Sequence, residues 1–311
     1  MRDETKKVIE QTKRWIEQER AWDDTLYATS SPSSPAVPGR GTMSQSHDGP
    51  PTKALGGDDT KTVHSSPVPQ PSSLKKAALS ALYERYKDCT RCPLGHTRIK
   101  FVFGVGPAHA EVMFIGEGPG YEEDRRGEPF VGKAGQLLDK MLLAIHMSRQ
   151  TNAYIANIVK CHPMANPQTP EARGNDRAPN PDEVETCAPI LLRQIAVIQP
   201  RIIVTLGSPS TKMILRTKDG ITGLRGKLFP FPADAFYPES QPSAMDMFEQ
   251  NPGVKEADSL PPVVDPPTRE ALRRIQVLPT YHPAALLRNP NLKPESWEDL
   301  KLLRSTLKTP S

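Results

Sequence analysis

The chain of 311 residues holds 34 prolines and has a mean hydropathy of -0.53, so it has room for one or two domains, but much of it is not packed core. No apolar run approaches the ~20 residues that span a bilayer, and the charged start MRDETKKVIEQ lacks the apolar stretch of a secretory signal. The expectation is a cytoplasmic protein with no membrane partner. The formal charge is +4, yet between 230 and 267 seven acids face one lysine, which leaves about +10 on the rest and suits a polyanionic partner such as nucleic acid.

In chain order, residues 1–28 read as an isolated amphipathic helix, with Val8, Ile9, Trp15, Ile16, Trp22 and Leu26 at three- and four-residue steps. Such a helix has nothing of its own to pack on, which makes a protein partner one expectation and a marginal tail helix the other. Residues 29–72 form a linker: from 30 to 72 the chain holds eight prolines, nine serines and five glycines, too little apolar surface to offset the entropy of ordering. The domain is expected over 73–311. Its first helix, SLKKAALSALYERYKDC, leads to the turn CTRC. Strands are expected at 111–117, 153–160, 201–207 and 275–283, and helices at 135–145, 181–199, 208–215 with Ser208 as its N-cap, and in SWEDLKLLRSTL. Alternating strands and helices at this spacing predict an α/β fold in which a parallel sheet is covered by helices on both faces. The stretch 230–267, with nine prolines, reads as a solvated acidic excursion before the last strand.

All four cysteines, Cys89, Cys92, Cys161 and Cys187, adjoin segments that suggest chemistry. Two ligands from a C-x-x-C turn and two from distant elements can close a tetrahedral thiolate site for zinc or an iron-sulfur cluster. In a reducing compartment thiols stay free to ligate, which favours metal ligands over disulfides; two disulfides or four idle core thiols are the alternative.

In an open α/β sheet, sites form at the carboxyl ends of strands. The first strand runs into GEGPGYEED, a glycine turn with Glu117 at its lip; the second carries Asn157; the last ends in Thr280, Tyr281, His282 and Pro283. A carboxylate, an amide and an imidazole at three strand ends make an acid/base and recognition set. Two other patterns fail. Residues 127–134, GEPFVGKA, miss the phosphate-loop hydroxyl at Ala134, and Gly116, Gly118 and Gly120 are spaced G-x-G-x-G, not G-x-G-x-x-G.

From Cys89 to about Leu307 the chain resembles the family 4, iron-sulfur uracil-DNA glycosylases, through CTRCPLG, FIGEGPGYEEDRRGEPFVGKAGQLLDKML, ANIVKCHP, TLGSPS, ITGLRGK and YHPAALLRNP in that order. The resemblance implies a three-layer sandwich with a four-stranded parallel sheet flanked by helices, a monomer, and a structural 4Fe-4S cluster on the four cysteines, with zinc as the alternative. It implies that uracil-containing DNA is the partner and that the bond joining uracil to deoxyribose is hydrolysed, leaving an abasic site. A base inside duplex DNA must be extruded before it can be read. By similarity Asn157 reads the uracil edge, Phe130 stacks on the base, and backbone amides near Gly118 and Gly120 hold its carbonyls. Tyr121 or Glu123 blocks the thymine methyl. Glu117 orients or activates the water, and His282 stabilises the oxyanion developing at uracil O2. Leu286 and Leu287 supply an apolar wedge into the duplex, or are helix core, and Arg288 holds a phosphate. The thiol site is expected to brace a basic surface of Arg91, Lys160 and His162. The alternative is an inactive or covalently trapping iron-sulfur DNA-binding member of the same superfamily.

Overall fold

A computed structural model describes residues 71–237, 262 and 264–308. The readings made for 1–28, and for the linker up to residue 70, lie outside them. Helix α1 (Pro71–Tyr86) ends where the Cys89 amide bonds to the Tyr86 carbonyl at 2.9 Å, and the short α2 (Leu94–Thr97) follows the CTRC turn. Strands β1 (Val112–Gly116), β2 (Ala153–Asn157) and β3 (Ile202–Leu206) are buried at every residue, which is why they read as continuous apolar runs. Strands β4 (Phe229–Pro230) and β5 (Gln276–Thr280) complete one sheet in the order β2-β1-β3-β5-β4.

The four parallel strands are as expected, but the sheet has five strands. The fifth, β4, pairs antiparallel with β5 through two residues only, too few to leave a period in the sequence. Its Pro230 lacks an amide donor, which an edge strand tolerates.

Helices α3 (Tyr121–Arg126), α4 (Lys133–Ala144), α5 (Pro181–Ile198), α6 (Ser208–Leu215), α7 (Ile221–Leu224), α8 (Ala233–Phe236), α9 (Pro266–Arg273), α10 (Pro283–Arg288) and α11 (Lys293–Lys308) surround the sheet. Alternation along β1 divides the core in two. Met113 and Ile115 pack with Leu79 and Tyr86 of α1 and Leu191 and Ile195 of α5, whereas Val112 and Phe114 pack with Leu138 and Met141 of α4 and Leu300 and Leu303 of α11. Each such side chain contributes about 1.5–3 kcal/mol when fully buried.

Three local expectations are corrected. The second strand stops at Asn157, because the successive amides of Ile158 and Val159 both turn to the Gly116 and Glu117 carbonyls and break the alternation of a ladder; Cys161 therefore follows a turn. Helix α6 is capped by Gly207, with Ser208 already inside it. The acidic stretch begins as core: Phe231, Ala233, Phe236 and Tyr237 are buried, Tyr237 Oη donates to the Leu192 carbonyl at 2.8 Å, and the Arg269 guanidinium donates to the Tyr237 carbonyl at 2.6 Å. Helix α9 closes it, its first turn capped by Asp265, which accepts from the Thr268 amide at 2.9 Å. Residues 238–261 and 263 lie outside the described ones. No helix among the described residues is long and apolar enough to cross a membrane.

Candidate active site

A cleft of about 450 Å³ opens at the carboxyl ends of β1, β2 and β5, and its walls bring together Glu117, Gly118, Gly120, Glu123, Phe130, Asn157 and His282. Two larger clefts, of about 780 Å³ beside α1 and about 640 Å³ at the amino edge of the sheet, lie away from the carboxyl ends of the strands and contain none of these residues.

Asn157 ends β2 in register with Gly116 of β1, and it is 1% exposed. Neither its Oδ1 nor its Nδ2 has a hydrogen-bond partner among the described residues. A buried amide left so costs about 1–3 kcal/mol, a penalty that a ligand offering one donor and one acceptor removes. Gly116 makes the room: a Cβ there would lie 2.5 Å from Asn157 Oδ1 and 2.6 Å from Phe130 Cζ. Phe130 adopts a left-handed backbone, φ 55°, a conformation that costs a non-glycine residue about 1–3 kcal/mol and persists only where its surroundings over-determine it. Its ring lies 5.4 Å from the His282 ring at a tilt of 32°.

His282 caps α10, and its Nδ1 accepts from the Ala284 amide at 3.1 Å. The proton of the neutral ring is therefore on Nε2. Burial, and secondarily the Arg288 charge, lower its pKa to about 4, so the ring is a neutral hydrogen-bond donor at ordinary pH. Burial raises the pKa of Glu117 above the usual carboxylate range, the direction that suits a general base. The cleft thus sets a neutral donor, a basic carboxylate, an aromatic face and an unsatisfied amide around one space.

Other predicted residues fall differently. Glu123 is in the wall, but its carboxylate is committed: Oε1 accepts from the Val131 and Gly132 amides at 2.8 and 2.9 Å, and Oε2 from the Gly120 amide at 3.2 Å. The Gly120 amide is thereby taken too. Tyr121 is outside the lining, with the guanidinium carbons of Arg125 and Arg173 at 3.6 and 4.7 Å from its ring centre. Leu286 is 2% exposed within the core of α4 and α11, which leaves Leu287, 46% exposed, as the outward apolar residue of α10 beside exposed Arg288.

All four cysteines are free thiols at one patch: Cys161 and Cys187 are buried, and all three of Cys92, Cys161 and Cys187 pack in the core cluster that includes Tyr86 and Leu94. Burial first, and then the neighbouring thiols, push Cys161 up to about 12; burial pushes Cys187 up to about 11. Arg91 Nε donates to Cys89 Sγ at 3.4 Å, and Arg98 Nη1 to Cys161 Sγ at 3.5 Å. Among the described residues no three His, Cys, Asp or Glu side chains converge as a group that could hold a metal ion. The chemistry of the donors nevertheless fits a thiolate-bound centre: four thiols that interact electrostatically, beside cations able to offset its negative charge. The expected basic surface is corrected, since Lys160 and His162 are both fully buried. Lys160 Nζ instead donates to the Asn157 carbonyl at 2.9 Å and to Gln194 Oε1 at 2.7 Å, and His162 Nε2 meets Asp176 Oδ1 at 2.6 Å.

Sequence reasoning missed these supports, and also Asp176 and Arg177, which the segment between the last two cysteines brings to the cleft wall. It missed Asp299 as well, whose Oδ2 accepts at 2.6 Å from Oγ1 of Thr280, two residues before His282 in the chain, while its carboxylate pairs with Arg225. Lys160, which follows the apolar run ending in Val159, carries a signal in the unusual cost of a charge there, whereas Asp176, Arg177 and Asp299 lie in polar stretches that give none.

Fold and cleft together define an α/β protein with a partly apolar slot at its strand ends, lined by a few polar groups. The model of the uracil DNA glycosylase superfamily matches residues 103–301, and the chain belongs to that superfamily. The type-4 uracil-DNA glycosylase of Sulfurisphaera tokodaii is 36% identical over 237 residues, 75% of this chain and 86% of that protein. That of Archaeoglobus fulgidus is 32% identical over 72% of this chain and 90% of its own length, and that of Thermotoga maritima 39% identical over 49% and 74%. The superfamily match takes in Cys161 and Cys187 and leaves Cys89 and Cys92 outside.

Proposed function

We propose that the protein is a uracil-DNA glycosylase that takes uracil out of DNA into the strand-end cleft, hydrolyses its N-glycosidic bond and leaves an abasic site. The observation that carries this reading is the buried, unpartnered amide of Asn157 facing a slot with an aromatic wall. Uracil offers an acceptor at O4 and a donor at N3, the complement of a carboxamide, whereas cytosine presents the reverse pattern there and leaves both amide atoms unpaired in the orientation that reads uracil.

Bond cleavage leaves negative charge on the base and positive charge on the sugar. In our reading His282 donates Nε2–H to uracil O2 as that charge develops, and its depressed pKa keeps the imidazole neutral. Glu117 holds the attacking water and favours the cationic sugar, Phe130 stacks on the base, and Leu287 with Arg288 meets the duplex and its phosphate. Glu123, by tying Gly120 to Val131 and Gly132, fixes the width of the slot on the side where a methyl group would need room. The reading favours Glu123 over Tyr121 on this ground.

The four cysteines would hold a 4Fe-4S cluster, which when bound cross-links α1, the turn after β2 and α5. Visible absorption of the purified protein distinguishes it from zinc. The protein is read as a monomer, with the segment 1–28 available to a protein partner.

The test is an end-labelled oligonucleotide with one uracil, incubated with the protein and then treated with alkali. A cut strand is the expected result. A retarded but intact strand overturns hydrolysis in favour of binding, and a species that survives denaturation indicates a covalent trap.

A further inference from the structure

We propose that Arg149 is the positioning residue for the stacking wall of the slot: its guanidinium holds the turn at Pro129 and Phe130 in the form that presents the Phe130 ring to the base. The inference rests on the reading of the cleft as a uracil slot. Arg149 is not itself in the cleft wall; it sits in the turn between α4 and β2 and is 8% exposed. Nη1 donates to the Pro129 carbonyl at 2.8 Å and Nη2 to the Phe130 carbonyl at 2.7 Å, while Nε donates to Asp139 Oδ1 at 2.8 Å. One planar fork therefore binds two successive carbonyls, and this is possible only while the chain is bent so that both oxygens face the same cation.

The bend is the one in which Phe130 has its left-handed φ of 55°. From behind, Gly135 leaves the space the turn occupies, since a Cβ there would lie 1.8 Å from the Phe130 carbonyl oxygen. A phenylalanine left to itself would relax toward negative φ and swing its ring away from Gly116 and His282. The guanidinium opposes that relaxation, and it does so without touching the base. Lysine at 149 would keep the charge but lose the fork, so it cannot hold both carbonyls in the same rigid geometry.

A stacking wall grips the base alike before and during bond cleavage, so its loss should appear in KM and not in kcat. The parental protein, Arg149→Lys, Phe130→Gly and the double variant are compared on a single-stranded uracil oligonucleotide and for inhibition by free uracil. Phe130→Gly removes the ring and the backbone strain together. Arg149→Lys is expected to raise KM and the uracil inhibition constant by the same factor of about ten, with kcat within about twofold. In the Phe130→Gly background it should add less than about twofold. Asp139→Asn, which removes a half-exposed partner of the clamp, should shift the uracil constant in the same direction by less, and it carries the test if Arg149→Lys does not fold. An unchanged uracil constant, a fall in kcat at constant KM, or factors that multiply in the double variant would overturn the proposal. A parental protein that leaves uracil-containing DNA intact sinks the enzymatic reading instead. The clamp is then judged by the melting temperatures of the same four proteins: shifts that fail to add support it, and shifts that add overturn it.

Discussion

At Asn157 the demands of folding and of recognition oppose each other. The amide is buried at the end of β2 without a partner, so the folded protein carries a penalty that the substrate relieves. Asn157→Ala should therefore lower uracil excision by roughly 10²-fold or more, from two lost hydrogen bonds, while the melting temperature holds or rises. A fall in melting temperature with activity retained would show that the amide serves the fold. Glu117 makes a second case. Because burial raises its folded pKa, the protonated form is favoured in the folded state, and stability is lost as pH rises from 4.5 through the folded value. Glu117→Gln should melt higher than the parent at pH 7 and excise uracil about 10²–10⁴-fold more slowly. His282 has the opposite sign of charge. Its pKa of about 4 lies below the ordinary 6.5, so the unfolded chain takes up a proton that the folded one refuses, and stability falls as pH drops from 6.5 to about 4, by on the order of 3 kcal/mol. Denaturation of His282→Gln across that range should show a shallower loss. Since Glu117 protonates above 4.5 and His282 near 4, the acid limb of the rate should follow Glu117.

The elements were legible to different degrees. Strands β1, β2 and β3 show themselves by apolar runs because both their faces are covered, and α4 and α5 by helical periodicity. Strand β4 was not legible, since its pairing depends on where β5 happens to lie. Nor was the role of α11, which reads as a closing amphipathic helix yet places Asp299 against the end of β5. There it accepts from Thr280 and pairs with Arg225, while Tyr281 Oη donates to Glu295 at 3.0 Å. The strand end that carries His282 is thus gripped by α11 through side chains on either side. Asp299→Ala should destabilise the protein by about 1–3 kcal/mol, since it removes the acceptor of the buried Thr280 hydroxyl while Arg225 keeps its ion pair with Glu295; chemical denaturation measures it, and a loss under about 0.5 kcal/mol would place the grip elsewhere.

On the scale of the molecule, parallel strands divide the domain into two ends. The slot lies at the carboxyl end, and the acidic stretch is anchored at the other, where the Phe231 amide bonds to the Ile275 carbonyl at 3.0 Å just before β5. Shortening the stretch between Tyr237 and Val264 should therefore leave kcat and KM for uracil DNA within about twofold, a result that steady-state assays on the two proteins would check. The thiol patch lies nearer the slot, linked to it by Lys160 and by the turn from Asn157 to Cys161. Residue types and their order by themselves determined the α/β class, the covered parallel strands, the four-thiol set and the acid, amide and imidazole at strand ends, because burial on both faces and tight glycine turns restrict composition locally. Tertiary structure alone decided that Glu123 and the Gly120 amide are committed to one another, that Leu286 is core, that Lys160 and His162 are interior, and that Arg149 reaches the Phe130 turn. These depend on contacts between residues distant in the chain, whose distances no local pattern encodes.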